Sequence, residues 1–302
     1  MIDLAGVELG GTKTIVVRGQ PGAIRDRVEI PTETPETTLT AVADILAQWH
    51  EEATLAAVGI ASFGPVRIDP SARDYGVILT TPKPYWSATP VMAAIRGRLN
   101  LPAAIDTDVN AAALAEHAIG AAKACTSVVY ITIGTGVGGG VVINGNPVHG
   151  MLHPEIGHLR LRRASGDTFA GNCSFHRDCV EGLISGPALA ARLARHPADV
   201  AAADPAWLPV ISDFAELLAA MLLAYAPQRI VIGGGVALKQ PHLIPAALAA
   251  VPRVLRAYLG DIDVATLQRV VVPAALGNDA GPTGALLIAR GAADAGCRVN
   301  AR

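Results

Sequence analysis

Two stretches of this chain obey one rule: a β-branched strand, a run of glycines, and a second strand. The first is LAGVELGGTKTIVVRG, residues 4–19, and the second is SVVYITIGTGVGGGVVING, residues 127–145. β-Branched residues such as Ile15, Val16 and Val17 favour strands, and glycines between them mark a tight reversal. The spacing excludes two familiar motifs. GTGVGG at 134–139 matches G-x-G-x-x-G, but a dinucleotide fingerprint must open a helix and here GVVING follows. GGTKT at 10–14 lacks P-loop spacing and also runs into a strand. Each turn could be a hairpin and nothing more. Taken together, they offer backbone N–H groups that a phosphate can approach without side chains in the way, at Gly10, Gly11 and Lys13 and at Gly134 and Gly136. The hydroxyls of Thr12 and Thr135 add donors.

An α/β round follows each hairpin. After the first come a helical pattern over 36–52, the strand and Gly-Pro loop LAAVGIASFGPV, and the loop TTPKPYWSATP. A helix from about Val91, the strand LPAAIDTDV and the helix NAAALAEHAIGAAK, with Asn110 as a candidate cap, complete that round. After the second come helical stretches at 180–196 and 210–226, the strand RIVIGGG with a helix behind it, and a final strand, loop and helix in VVVPAALGNDAGPTGALLIAR. Two similar α/β domains with a ligand cleft between them are expected. The smaller comprises 1–112 plus about 286–302, the larger 113–285. Gly233, Gly234 and Gly235 lie between a strand and a helix, which suits phosphate or nucleoside binding or merely close helix–strand packing.

Charge narrows the partners. The formal net charge is −2, only 17% of residues are charged, and no basic block exceeds LRLRR. A nucleic-acid groove and an electrostatic membrane anchor are therefore not expected. The first residues, MIDLAGVELG, lack a signal-peptide pattern, and the apolar run FAELLAAMLLAYAP reads as too short to span a bilayer, so a cytoplasmic protein is expected.

That location bears on the cysteines. Two of the four form CSFHRDC, residues 173–179, with HPEIGH upstream at 153–158. In a reducing compartment such thiols favour metal or free cysteine over a disulfide. Cys173, His176 and Cys179 supply three tetrahedral ligands, with His158 as the fourth and His153 as its competitor; the alternative is a free thiol pair on a loop. Four protein ligands make the zinc structural. Cys125 and Cys297 join no constellation. Asp106 and Asp108 end a strand in DTDVN, where period-two spacing would put both on one face. A strand-end carboxylate can act as general base toward a hydroxyl, and Asp108 is the candidate, unless it serves only as a helix cap.

These motifs, in this order, resemble the ROK family of sugar kinases and its fructokinase-like branch: GGTKT, GIASFGPV, TTPKPYW, DTDVNAAALAE, YITIGTGVGGG, HPEIGH, CSFHRDCVEGLISGPA, IVIGGGV and LGNDAGPTGA. The resemblance implies an actin/hexokinase-like (ribonuclease H-like) fold and ATP-dependent phosphorylation of a hexose, with D-fructose first and glucose, mannose or an N-acetylhexosamine as alternatives. It implies Asp108 as base and a sugar site of Gly64, Pro65, Trp86, Thr107, Asp108, Glu155, His158 and Glu181. The glycine turns, with Thr12, Lys13 and Thr135, become phosphate loops, and Gly233–Gly235 becomes the adenosine motif. His158, Cys173, His176 and Cys179 become the zinc ligands, and Glu8 a magnesium ligand through water. A homodimer is implied as well. Glu8 and Thr107 stand where many family members carry Asp and Asn, and C-x-x-H-x-x-C replaces a cysteine-rich cluster; these departures look like the fructokinase branch.

Overall fold

The computed structural model describes residues 2–256 and 258–300, with side chains through Gly296. The chain runs β1 (Asp3–Leu9), β2 (Lys13–Gln20), β3 (Ala23–Pro31), α1 (Pro35–Glu52), β4 (Leu55–Ser62), α2 (Val91–Arg96), β5 (Ala103–Thr107) and α3 (Asp108–Ala118). It continues with β6 (Ser127–Ile133), β7 (Val137–Ile143), β8 (Asn146–Pro147), α4 (Val180–Ile184), α5 (Gly186–Leu193) and α6 (Leu208–Tyr225). The last elements are β9 (Arg229–Gly233), α7 (Gly235–Lys239), α8 (Leu243–Leu255), α9 (Val264–Val270), β10 (Val271–Pro273) and α10 (Ala280–Asn300). They fall into two compact units: residues 1–120, 145–153 and 278–302 in the first, 121–144 and 154–277 in the second.

The first unit is built on a sheet of order β3-β2-β1-β4-β5. β1, β2 and β3 are antiparallel neighbours, whereas β4 runs parallel to β1 and to β5. Parallel strands need both faces covered, and alternation along β1 and β4 divides their side chains between the two. Ala5, Val7, Leu9, Val58 and Ile60 face a core that includes Leu39, Val42, Leu46 and Trp49 of α1. That spacing in α1 follows one helical face, and each such side chain taken fully from water contributes roughly 2 kcal/mol. Thr34 caps α1 by accepting from Thr37 N, and Pro35 opens it. On the opposite face Leu4, Ile15, Val17 and Ala57 pack with Leu286 and Ala289 of α10. Here the backbones touch: a Cβ on Gly59 would stand 2.0 Å from Ala285 O, and one on Gly284 would stand 2.0 Å from Ala111 O of α3. α10 can lie against β4 and α3 only because those positions carry no side chain.

The second unit has the strand order β10-β9-β6-β7. β6 and β7 form the second hairpin, and β9 lies parallel to both β6 and β10. The expected single helix over 180–196 is two helices. Ser185 ends α4 in an extended conformation and caps α5, with Pro187 in the first turn, where its missing N–H costs nothing. The apolar run around α6 is also longer than its sequence suggests. Pro205–Tyr225 spans 21 residues with mean hydropathy 1.6, long and apolar enough to cross a bilayer, because a turn ahead of Phe214 adds to it. It buries Phe214, Leu217, Leu218 and Met221 within the unit and carries the buried Asp213.

Candidate functional site

In the first unit, three parallel strands end side by side: Leu9 pairs with Ser62, and Ser62 with Thr107. Ligands of α/β sheets gather at such carboxyl ends, where loops diverge and backbone groups are freed. Three candidate groups start there. Gly10–Lys13 closes the first hairpin, with Gly10 N donating to Lys13 O at 3.1 Å. A Cβ on Gly10 would meet that oxygen at 2.7 Å, while Gly11 faces open space. Gly64 and Pro65 follow β4, joined by a cis peptide, with Pro65 O accepting from Leu79 N. Asp108 follows β5 directly.

Asp108 is the first residue of α3, not a continuation of the strand, so Asp106 and Asp108 do not share a strand face. The cap is Thr107, whose Oγ1 accepts from Asn110 N at 3.1 Å; Asn110 is not the cap. Chain direction explains this, since the helix begins as soon as the strand ends. The side chain of Asn110 turns back instead, donating from Nδ2 to Asp106 Oδ1 at 2.7 Å. Asp106 also accepts from Thr107 N at 2.7 Å and from His149 Nε2 at 2.9 Å. Asp106 is therefore a buried brace for the corner, and Asp108 is left for chemistry. Burial raises the Asp108 carboxyl to about 6, with Val109 N opposing the rise. Glu8 lies against the first turn of α10, where a Cβ on Gly281 would clash with its Oε1. Burial first, then the Asp108 charge, push Glu8 up to about 7. As pH rises Asp108 ionises first, and its charge holds the proton on Glu8.

Trp86 does not face a ligand. It is 0% exposed, packs edge-on against Phe63 at 5.2 Å, and donates from Nε1 to Glu33 O. The aromatic ring supports the TTPKPYW loop from beneath. Thr107 uses its hydroxyl as a cap, and Lys13 pairs with Glu29 at 3.0 Å. His153 is buried in this unit, with Nε2 accepting from Val66 N at 3.1 Å, so it does not compete for a metal.

In the second unit, Gly134, Thr135 and Gly136 turn β6 into β7, with Gly134 N donating to Gly136 O at 2.9 Å. Glu181 Oε2 accepts from Val137 N at 3.1 Å, at the foot of this turn, and a Cβ on Gly136 would approach the same oxygen to 2.7 Å. The expected sugar-binding Glu181 and the expected phosphate turn are thus one physical assembly. Thr132 pairs with Gly233, which brings Gly233–Gly235 beside the turn. Gly234 has φ +89°, and a Cβ there would stand 2.4 Å from Ile133 O. Close backbone packing accounts for that glycine.

HPEIGH enters a 3-10 turn at Ile156–His158, with Glu155 exposed just before it. Gly157 sits so tightly on β7 that a Cβ would stand 1.8 Å from Val137 O. His158 is thereby directed at the cysteines: its Nδ1 lies 3.6 Å from Cys179 Sγ and 3.9 Å from Cys173 Sγ, and His176 Nδ1 lies 4.0 Å from Cys173 Sγ. All four donor atoms lie within 4.8 Å of one another. Tetrahedral Zn²⁺ with bonds of 2.0–2.3 Å separates its ligands by about 3.5 Å, so a small inward shift completes the sphere. Burial lifts the Cys179 thiol to about 11, with Cys173 and Glu181 adding to the rise. Cys125 is partly buried and outside this cluster; the Cys297 side chain lies outside the described residues.

One network escaped the sequence. Arg192, buried with Asp213, bonds that carboxylate at 2.6 Å, contacts Asp167, and stacks over Phe169. Arg163 joins through Asp167 at 2.6 Å. These charges fix the loop between His158 and Cys173. No spacing rule reveals them, because the partners are 21 and 25 residues from Arg192.

Two α/β units, each opening with a strand–glycine–strand hairpin, define a protein of the actin/hexokinase-like class. Solved structures agree. A ROK hexokinase from Thermus thermophilus superposes with a TM-score of 0.76 at 28% identity, covering 96% of this chain and 98% of that one. A ROK glucokinase from Streptomyces griseus, solved with glucose and AMPPNP, gives 0.70 at 27% identity, covering 96% and 99%. The ROK family model matches residues 4–292, and the chain belongs to that family. Among its relatives, the fructokinase of Pediococcus pentosaceus is 40% identical over 292 residues, covering 96% of this chain and 98% of that protein. The fructokinase of Zymomonas mobilis is 36% identical over 294 residues, covering 94% and 95%.

Proposed function

We propose that this chain is an ATP-dependent hexose kinase whose preferred substrate is D-fructose, converted to fructose 6-phosphate. The observation that carries the reading is Asp108: a carboxyl at the end of a parallel strand, with only β4 between it and the strand that leads into the first glycine turn, raised to about 6. Relatives named fructokinase at 36–40% identity support the substrate.

The sugar hydroxyl is deprotonated by Asp108 as its oxygen attacks the γ-phosphorus. A new O–P bond forms, the bond from the γ-phosphorus to the β,γ-bridging oxygen breaks, and ADP leaves with that electron pair. Such transfer depends chiefly on alignment and charge stabilisation. Gly10 N and Gly134 N close their own turns, so the backbone N–H groups of Gly11 and Thr12 and of Thr135 and Gly136 hold the phosphates, and Gly233–Gly235 the adenosine side. Glu155, His158 and Glu181 orient the sugar. When bound, Mg²⁺ would neutralise phosphate charge; Glu8, buried and beside Asp108, would hold it through water. His158, Cys173, His176 and Cys179 would hold Zn²⁺ through four protein ligands, a set that suits a structural role and not a catalytic one. Its role is to fix the loops carrying Glu155 and Glu181.

ADP release measured across fructose, glucose, mannose and N-acetylhexosamines tests the reading. Fructose should give the highest kcat/KM, and absence of sugar-dependent ADP release from every hexose would remove it. The expected homodimer is part of the same proposal, read by light scattering.

A further inference from the structure

We propose that Lys83 is a further phosphate-binding residue, whose ammonium group joins the first glycine turn in holding the nucleotide's terminal phosphates. This rests on the kinase reading above and adds a residue that the glycine motifs do not include.

The position of its amine is the first argument. Lys83 Nζ donates to Gly11 O, within the turn itself, and to Thr32 O at 3.3 Å. Thr32 belongs to the same frame: its N donates to Thr12 O at 2.9 Å, and its Oγ1 to Gly10 O at 2.8 Å. An ammonium has three N–H donors. Two are taken by neutral carbonyls, and the third is available to an anion at the turn.

The charge inventory is the second argument. Neighbouring cations of this unit are committed to carboxylates: Lys13 to Glu29 at 3.0 Å and Arg27 to Asp279 at 2.5 Å. Among the described residues Lys83 has no carboxylate partner; its acceptors are carbonyl oxygens. A positive charge set on the phosphate turn and left uncompensated suits a polyphosphate, and charge-assisted hydrogen bonds of that kind are the strong ones.

The loop is also rigid enough to deliver the charge. Prolines at 82 and 84 flank Lys83 and restrict the backbone on both sides. Ser87 Oγ accepts from Thr81 N at 3.2 Å, and Trp86 anchors the far side of the loop in the core. The buried Trp86 that proved unable to touch a ligand therefore has a purpose: it fixes the loop from which Lys83 reaches back to Gly11.

The competing account is that Lys83 merely staples the loop to the hairpin. The two accounts differ in what the nucleotide senses. Calorimetric titrations with AMPPNP and with adenosine, on the full chain with Mg²⁺, should be compared for the wild type, Lys83→Met and Lys83→Arg. A phosphate contact predicts that Lys83→Met loses AMPPNP affinity and kcat/KM for ATP on the order of 10²-fold, as when one charge-stabilising donor is removed from a transition state. Adenosine affinity and sugar KM should stay near wild type, and Lys83→Arg should recover part of the loss. A uniform loss for AMPPNP and adenosine, or an unchanged AMPPNP affinity in Lys83→Met, overturns the proposal. If Lys83→Met does not fold, Lys83→Gln takes its place under the same criteria: a loss for AMPPNP but not for adenosine upholds the proposal, and an unchanged AMPPNP affinity or an equal loss for both overturns it. Failure of the kinase reading would show separately, as a wild type with no sugar-dependent ADP release.

Discussion

Acid should switch this enzyme off at an unusual pH. The proposed base, Asp108, must be ionised to act, and burial holds its carboxyl at about 6. Its ionised fraction then falls from about 0.9 at pH 7 to about 0.1 at pH 5, so kcat/KM for the sugar should drop roughly tenfold across that interval. A carboxyl at the ordinary value of about 3.9 would lose less than about a tenth of its activity over the same range. Glu8, at about 7, is the group that could mimic the effect, so saturating Mg²⁺ and the Glu8→Gln variant are the controls. The assay is discontinuous measurement of ADP between pH 5 and 8.5 at constant ionic strength, which avoids pH-sensitive coupling enzymes. A midpoint near 4, or a limb that vanishes in Glu8→Gln, refutes the assignment. The same shift makes a stability claim. A raised folded-state pKa contributes stability fully present below the unfolded value near 4 and lost as pH rises through about 6. At pH 7 the ionised Asp108 therefore costs the ligand-free protein up to about 3 kcal/mol. Asp108→Asn should be more thermostable than wild type at pH 7, yet slower by about 10²–10⁴ in kcat.

Other expectations concern particular atoms. Cys179→Ser should lose the metal, seen by elemental analysis, and raise the sugar KM more than the ATP KM, because the cluster fixes Glu155 and Glu181. Gly136→Val should weaken sugar and nucleotide alike in calorimetry, since the first atom a new side chain meets is Glu181 Oε2 at 2.7 Å. Without the structure one would expect that variant to affect ATP far more than sugar. Gly59→Ala should destabilise by about 1–3 kcal/mol in denaturant titrations, because its Cβ would stand 2.0 Å from a helix carbonyl that cannot move alone.

Much of the fold is legible in the sequence where the signal is local. Strand–glycine–strand turns, the 39/42/46/49 stripe of α1 and the CSFHRDC spacing each lie within a few turns of chain, and the structure has them in place. What the sequence leaves open depends on where an element stops or on what lies across the sheet. Thr107 rather than Asn110 caps α3 because β5 ends at Thr107, two residues before the end of LPAAIDTDV. Trp86, which the family resemblance places in the sugar site, is instead buried against Phe63 and bonded to Glu33, both distant in sequence. The Asp106–His149 pair joins residues 43 apart, and nothing in either neighbourhood names the other.

The first unit draws on three separate lengths of chain, and the last to be synthesised is α10. Until that helix leaves the ribosome, Leu4, Ile15, Val17 and Ala57 have no cover on their outer face, and Glu8 lacks the turn against which it rests. The strand–helix corner at Asp108 waits with it, because α3 meets α10 backbone to backbone at Ala111 and Gly284. Non-local closure of this kind is slow and exposes apolar surface in the interval. A nascent chain arrested before residue 280 can thus have translated both glycine turns, Asp108 and the Cys/His cluster and still lack the helix against which the Asp108 corner packs. Closure of the first unit arrives with α10.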